Sequence, residues 1–114
     1  MTKEYLNQFE AEHRLRAQIQ TERGQVIDFV VQLESFIQDR WQAIVRYNCS
    51  HGTPHKDTLH PDGSQDKEWF YHETPSKVLN RAIEDIKGNY HRYKENYERE
   101  KNESQKQHTR RKKP

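Results

Sequence analysis

The stretch Val26-Ile27-Asp28-Phe29-Val30-Val31-Gln32-Leu33-Glu34-Ser35-Phe36-Ile37-Gln38-Asp39-Arg40-Trp41-Gln42-Ala43-Ile44-Val45-Arg46-Tyr47-Asn48-Cys49 decides how the chain folds. Thirteen of the 22 residues from Val26 to Tyr47 are apolar, a core-like density. Ile27, Phe29, Val31, Leu33 and Ile37 alternate with Asp28, Gln32 and Glu34. A period of two in β-branched and aromatic residues reads as a strand with one buried face. Trp41, Ala43, Val45, Tyr47 and Cys49 alternate in the same way with Gln42, Ile44, Arg46 and Asn48. Gln38-Asp39-Arg40 between the two runs reads as a short loop, so the pair is an antiparallel hairpin.

Outward from the hairpin the signals change. Residues 1–25 are rich in Glu, Gln, Arg and Lys and lack proline. Leu6, Phe9, His13 and Ala17 fall at helical spacing, which predicts an N-terminal helix ended by Gly24. Residues 50–66 hold two prolines and two glycines and read as a loop about three times the usual median length. Lys67 to His72 is short and aromatic and suits a third strand, with Trp69 and Tyr71 on one side and Phe70 on the other. Thr74-Pro75 supplies an N-cap and a first-turn proline. Leu79, Ile83, Ile86, Tyr90, Tyr93 and Tyr97 then mark one helix face, with Val78 and Ala82 beside it. Gly88 interrupts this helix without having to end it. The expected architecture is α+β: an N-terminal helix over 1–25, a core domain over 26–97 with a three- to four-stranded antiparallel sheet and a C-terminal helix packed on one face, and a basic, solvated tail over 98–114.

At 114 residues the chain has room for one domain. Leu, Ile, Val and Phe together number only 20, which alone would suggest disorder, but the net charge of +2 does not complete that signature. No apolar run approaches the ~20 residues of a membrane span, and residues 1–8 lack the apolar core of a signal peptide. The one cysteine, Cys49, excludes an internal disulfide framework and fits a reducing, cytoplasmic setting. Alternation places it on the packed face, where a thiol behaves as a small hydrophobe. From Asn89 to Pro114 there are nine Lys/Arg against four Asp/Glu, whereas residues 1–88 carry a net −3. The basic character belongs to the late helix and tail.

Chemistry concentrates after the second strand, where His51, His55 and His60 fall within ten residues. A histidine pair across a phosphate serves as general base and general acid near neutral pH. In that reading His51 and His55 are the pair, Arg46 and Lys56 hold the phosphate and stabilise its developing charge, and Asp57 or His60 orients a ring. This set is sufficient for RNA cleavage without a metal or other cofactor, because the 2′-hydroxyl is itself the nucleophile. The bland reading is a polar surface loop shaped by Gly52 and Pro54. A third is zinc held by His51, His55 and His60 with Asp57 or Asp62, although their spacing in a loop fixes no ligand geometry.

RNA contacts are expected from Arg92 and Lys94 beside the tyrosine stripe, with Arg99 near them, and from Arg110, Arg111, Lys112 and Lys113. Such a tyrosine stripe more often covers a sheet or a partner helix, and the four terminal charges are as well suited to keeping a tail in solution.

Arg46-Tyr47-Asn48 at a strand end, followed by His51-Gly52 and His55, preceded by Trp41-Gln42-Ala43-Ile44-Val45 and closed by the helix from Pro75, resembles the small prokaryotic toxin-like proteins of the TumE type and related uncharacterised families. The resemblance covers about residues 25–97. It implies a toxin–antitoxin context, a compact α+β fold and RNA as target, with a cognate antitoxin as partner. Asn48 departs from the aspartate expected after Arg-Tyr; an amide can orient a histidine but cannot act as a base. The leading expectation is a toxin-like RNA-binding protein with endoribonuclease activity. Its rival is a non-catalytic interaction or homo-oligomerisation module.

Overall fold

The computed structural model describes residues 1–50 and 52–111, with the side chains of Ser50 and of 105–111 outside that description. Six strands, β1 (Thr2–Glu10), β2 (His13–Glu22), β3 (Gln25–Ile37), β4 (Arg40–Ser50), β5 (Thr53–Leu59) and β6 (Gln65–Trp69), precede one helix, α1 (Pro75–Arg111). Each strand pairs antiparallel with its sequence neighbour, giving one six-stranded meander with β1 and β6 at its edges. The helix crosses one face, mainly over β3 and β4.

The hairpin at the centre is as the sequence predicts, but its turn is tighter. Gln38 and Asp39 alone connect Ile37 to Arg40, both with positive φ (51° and 63°). That is the type I′ pattern, whose twist matches the strands it joins. Arg23-Gly24 repeats it between β2 and β3, with φ of 53° and 78°.

Two expectations are overturned. Residues 1–25 are a hairpin rather than a helix, and the sheet has six strands rather than three or four. Leu15, Ala17 and Ile19 alternate along β2, and their partners Asn7, Tyr5 and Lys3 lie on the same face. Leu6, Phe9, His13 and Ala17 therefore belong to different faces of two strands, and their helical spacing is coincidental. Burial of Leu15 and Ala17 against β3 and α1 outweighs the helix propensity of the polar residues between them. His13 lies buried at the start of β2, with Nδ1 2.9 Å from the Ser35 hydroxyl and its ring against Tyr90. Burial pulls its pKa down, so the imidazole is neutral.

The second omission is β5, inside the stretch read as a loop. Pro54 is its second residue, where the missing N–H costs little, and the Pro54 carbonyl still accepts from Phe70 N at 2.9 Å.

The first turn of α1 is capped as expected, with Lys77 N donating to Thr74 Oγ1 at 3.3 Å. Its stripe is buried: Val78, Ala82 and Ile86 are fully covered by the sheet, and Gly88 does not interrupt it. Full burial of each large aliphatic side chain contributes about 1.5–3 kcal/mol, and this apolar contact, not helix propensity, fixes α1 on the sheet. The tail expectation over 98–114 falls partly on α1, which runs to Arg111, and partly on residues 112–114, outside the described residues.

One irregularity redirects side chains. Leu33 pairs with Val45 but Glu34 with Ala43, so Ile44 is an extra residue in β4. A bulge of this kind shifts the alternation by one. Val45, Tyr47 and Cys49 face α1, whereas Trp41 emerges on the opposite face with Arg14 over its ring at 4.1 Å. The single face expected for Trp41 through Cys49 is thus split. Cys49 itself is buried as expected, and burial, reinforced by the charge of Asp28, raises its thiol pKa.

Candidate nucleic-acid interface

The face away from α1 carries a polar ladder that crosses five strands. Register places Arg14 beside Glu34, Arg16 beside Gln32, Gln32 beside Arg46, Arg46 beside Asp57, and Asp57 beside Lys67. Arg14 Nε donates to Glu34 Oε1 at 2.6 Å and Arg16 Nε to Oε2 at 2.8 Å. Glu34 is nearly buried; burial would raise its pKa, but the bonds from Arg16, Arg14 and Gln32 overcome that and lower it to about 2.

Arg46 differs from these two arginines. Its Nε donates to Gln32 Oε1 at 2.9 Å, and among the described residues no carboxylate lies within 4.0 Å of it. Its cross-strand neighbour Asp57 faces elsewhere, with Oδ2 3.4 Å from His55 Nε2 and Oδ1 3.8 Å from Lys67 Nζ. His55 and Asp57 are 2% and 3% exposed. Among the described residues His55 Nδ1 and Asp57 Oδ1 are buried polar atoms with no hydrogen-bond partner. Burying such atoms unpaired costs about 1–3 kcal/mol each, so the pair is held against an energetic penalty.

Aromatic rings flank this centre. Trp69 covers His55 with ring centroids 4.7 Å apart and stacks on Tyr71 at 6.0 Å. At the other end Phe36 and Trp41 pair at 5.4 Å. Trp69, Tyr71 and Phe36 are exposed.

The six residues expected to form one catalytic turn are therefore divided. Arg46, His55 and Asp57 share the helix-free face. Lys56, next to His55 on a strand, points the opposite way by simple alternation. It pairs in register with Tyr47 and donates to the Tyr93 hydroxyl at 2.7 Å. His60, just beyond β5, lies between Glu100 Oε2 (2.8 Å from Nδ1) and Asp66 Oδ2 (2.9 Å from Nε2). Those carboxylates raise its pKa, Asp66 most, and favour the cationic form. His51 lies outside the described residues. With both His60 nitrogens occupied and His55 on another face, the zinc arrangement is not assembled from these two. Among the described residues no three His, Cys, Asp or Glu side chains form a group able to hold a metal ion.

Of the residues expected to touch RNA from the helix, Lys94 is occupied by an ion pair with Glu12 at the β1–β2 turn. Arg92 is exposed, with its guanidinium 5.5 Å from the Tyr93 ring centre. The side chains of Arg110 and Arg111, and all of Lys112 and Lys113, lie outside the description.

Sequence reasoning missed the cluster under α1, where Tyr47 and Tyr93 both donate to Asp85 Oδ2 (2.6 and 2.5 Å) and Lys56 sits 3.5 Å away. It also missed the Arg14–Glu34–Arg16 triad, whose signal, Arg-x-Arg opposite Gln-x-Glu, becomes legible once residues 13–22 are read with a period of two.

Over residues 1–103 the chain matches the family described as Domain of unknown function (DUF7718). The chain belongs to that family. The match spans all six strands and most of α1, so the helix-free face lies wholly within the family domain. No curated protein and no solved structure matches the chain. No helix among the described residues is long and apolar enough to cross a membrane.

Proposed function

We propose that this DUF7718 protein is a toxin-like RNA-binding protein that takes single-stranded RNA on its helix-free sheet face and cleaves it at Arg46, His55 and Asp57. The reading is carried by Arg46: a guanidinium with only Gln32 as partner among the described residues, beside a buried histidine–aspartate pair. A planar fork of N–H donors without a carboxylate suits a phosphate. Exposed aromatic pairs on either side suit unstacked bases.

The chemistry needs no cofactor. Asp57 Oδ2, 3.4 Å from His55 Nε2, favours the tautomer protonated there, which leaves Nδ1 to take the 2′-hydroxyl proton. The 2′-oxygen attacks phosphorus, the P–O5′ bond breaks, and a proton from the acid, assigned to His51, goes to the departing 5′-oxygen. The products are a 2′,3′-cyclic phosphate and a 5′-hydroxyl. Arg46 holds the charge that builds on the non-bridging oxygens. Because His55 is covered, substrate reaches it only when the exposed Trp69 side chain moves aside. Lys56 has no part in this scheme.

The test is incubation of the full chain with single-stranded RNA in chelator, beside His55→Ala and Arg46→Ala. Cleavage that persists in chelator, stops in His55→Ala and weakens with RNA affinity in Arg46→Ala is the expected result. Absence of RNA retention at low salt removes the proposal.

A non-catalytic interaction module is the second reading, favoured by the two open sheet edges. The outer backbone groups of β1 and β6 can pair with a strand from an antitoxin or another copy. A discrete complex that forms equally well with His55→Ala, without RNA binding, selects it.

A further inference from the structure

A recess of about 370 Å³ lies between α1, the middle of β4 and the end of β5, on the opposite side of the sheet from Arg46. Its sheet side is formed by Ile44, Val45, Thr58 and Leu59, the first two almost fully buried, and its helix wall presents Arg92, Tyr93, Asn96 and Arg99. The volume is at the lower end of the range for small-molecule sites. Arg92, Asn96 and Arg99 follow the spacing i, i+4, i+7 and so share one side of the helix.

The charges on this wall are not consumed within the protein. Arg99 donates to Asn96 Oδ1 at 2.6 Å and Arg92 lies over the Tyr93 ring. Among the described residues neither has a carboxylate within 4.0 Å, in contrast to Lys94 on the same helix, which is tied to Glu12. The one carboxylate lining the recess, Glu100, is already matched by the His60 imidazole. Two unmatched guanidinium groups beside Leu59 and the Tyr93 ring fit a ligand with an anionic end and a flat body.

We propose that this recess binds a mononucleotide, with its phosphate on Arg92 and Arg99 and its base and sugar against Leu59 and Tyr93. This assignment is independent of RNA binding on the helix-free face. Two sources carry the chemistry, a free nucleotide and the phosphorylated terminal nucleotide of an oligonucleotide.

Titration of the full chain, followed by calorimetry and by amide NMR shifts, tests it with four probes: adenosine monophosphate, adenosine, inorganic phosphate and a 5′-phosphorylated dinucleotide. Adenosine monophosphate is expected to bind saturably, at least about tenfold tighter than adenosine or phosphate alone. Shifts should centre on Thr58, Leu59, Asn96 and Tyr97. Arg92→Ala and Arg99→Ala should each weaken binding by about tenfold, while Lys77→Ala, an exposed charge near the start of α1, should not. Both arginines are exposed, so their removal leaves the fold intact. A dinucleotide binding tighter than the mononucleotide assigns the site to a chain terminus; the reverse assigns it to the free nucleotide. No saturable response at millimolar adenosine monophosphate, or a response unchanged in the double arginine variant, overturns the proposal.

Discussion

The Tyr47 hydroxyl donates to Oδ2 of Asp85 at 2.6 Å, linking the middle of β4 to α1 across 38 positions of sequence. The same carboxylate oxygen receives the Tyr93 hydroxyl and lies 3.5 Å from Lys56 Nζ, while Asn89 donates to Oδ1 at 2.8 Å. Burial pushes the Asp85 pKa up, but the tyrosine hydrogen bonds and the Lys56 charge outweigh it and hold the group below the ordinary carboxylate range. One carboxylate therefore organises five polar side chains, itself included, at the helix–sheet contact.

Asp85→Ala should cost about 3–5 kcal/mol, because it leaves the partly buried Lys56 charge and two hydroxyls without their acceptor. Tyr47→Phe, which removes one bond and leaves no charge stranded, should cost about 1 kcal/mol. Denaturant titration of both variants measures the difference, and equal costs would show that Asp85 is not the organising group.

On the other face Glu34 makes a pH-dependent contribution. Its pKa is about 2 against an ordinary 4.5, so its stabilisation is fully present above pH 4.5 and is lost as pH falls toward 2. The shift corresponds to about 3 kcal/mol. Glu34→Gln should lower stability by an amount of that order at pH 7, and the gap to the parent should narrow steadily below pH 4.5 in thermal melts.

His60 carries the opposite sign. Its pKa is raised from 6.5 by Asp66 and Glu100, so its clamp between the β5–β6 loop and α1 is complete below pH 6.5 and loosens as pH rises through the elevated value. Melting temperatures of the parent and His60→Gln should differ at pH 6, and the difference should shrink as pH is raised. A constant difference would assign His60 a packing role instead.

The Gln38-Asp39 turn holds two non-glycine residues at positive φ. Asn-Gly is the preferred pair for this geometry, so the double change Gln38→Asn/Asp39→Gly should stabilise the β3–β4 hairpin by about 0.5–1 kcal/mol, read as a shift in denaturant midpoint.

If Arg46 holds a phosphate, Arg46→Ala should reduce the salt dependence of RNA affinity by about 0.7 in the log–log slope, as expected for one lost contact to a single strand. Fluorescence anisotropy over a salt series measures it, and an unchanged slope would place the RNA elsewhere.

The centre of the fold was legible because Phe29, Val31, Leu33, Val45 and Tyr47 are both apolar and alternating, so periodicity and burial agree. The first hairpin was not, since most outward residues of β1 and β2 are Gln, Glu and Arg, good helix formers whose inward neighbours include small Ala17 and polar Asn7. The interior strand β5 was hidden by Pro54 and by polar residues on both its faces. That misreading carried into the site: treated as a loop, residues 53–59 could bring His55, Lys56 and His60 together, but the pleat of a strand sends His55 and Lys56 apart. Arg46, His55 and Asp57 share one face because β4 and β5 are adjacent strands in register. Asp85 could not be found from sequence, because nothing local distinguishes it from the other acids of α1.

A sheet in which every strand joins the one synthesised just before it never has to wait for a distant segment. Each of its five hairpins closes over a short span, so loop-closure entropy is small throughout and the meander can zip progressively from the N-terminus. Only α1 must reach back, over β3 and β4, and it is made after all six strands. Until then the apolar side chains of Phe29, Val31 and Leu33 stand uncovered, which makes the arrival of the helix the step most open to interception by a chaperone or by a partner supplying a helix of its own.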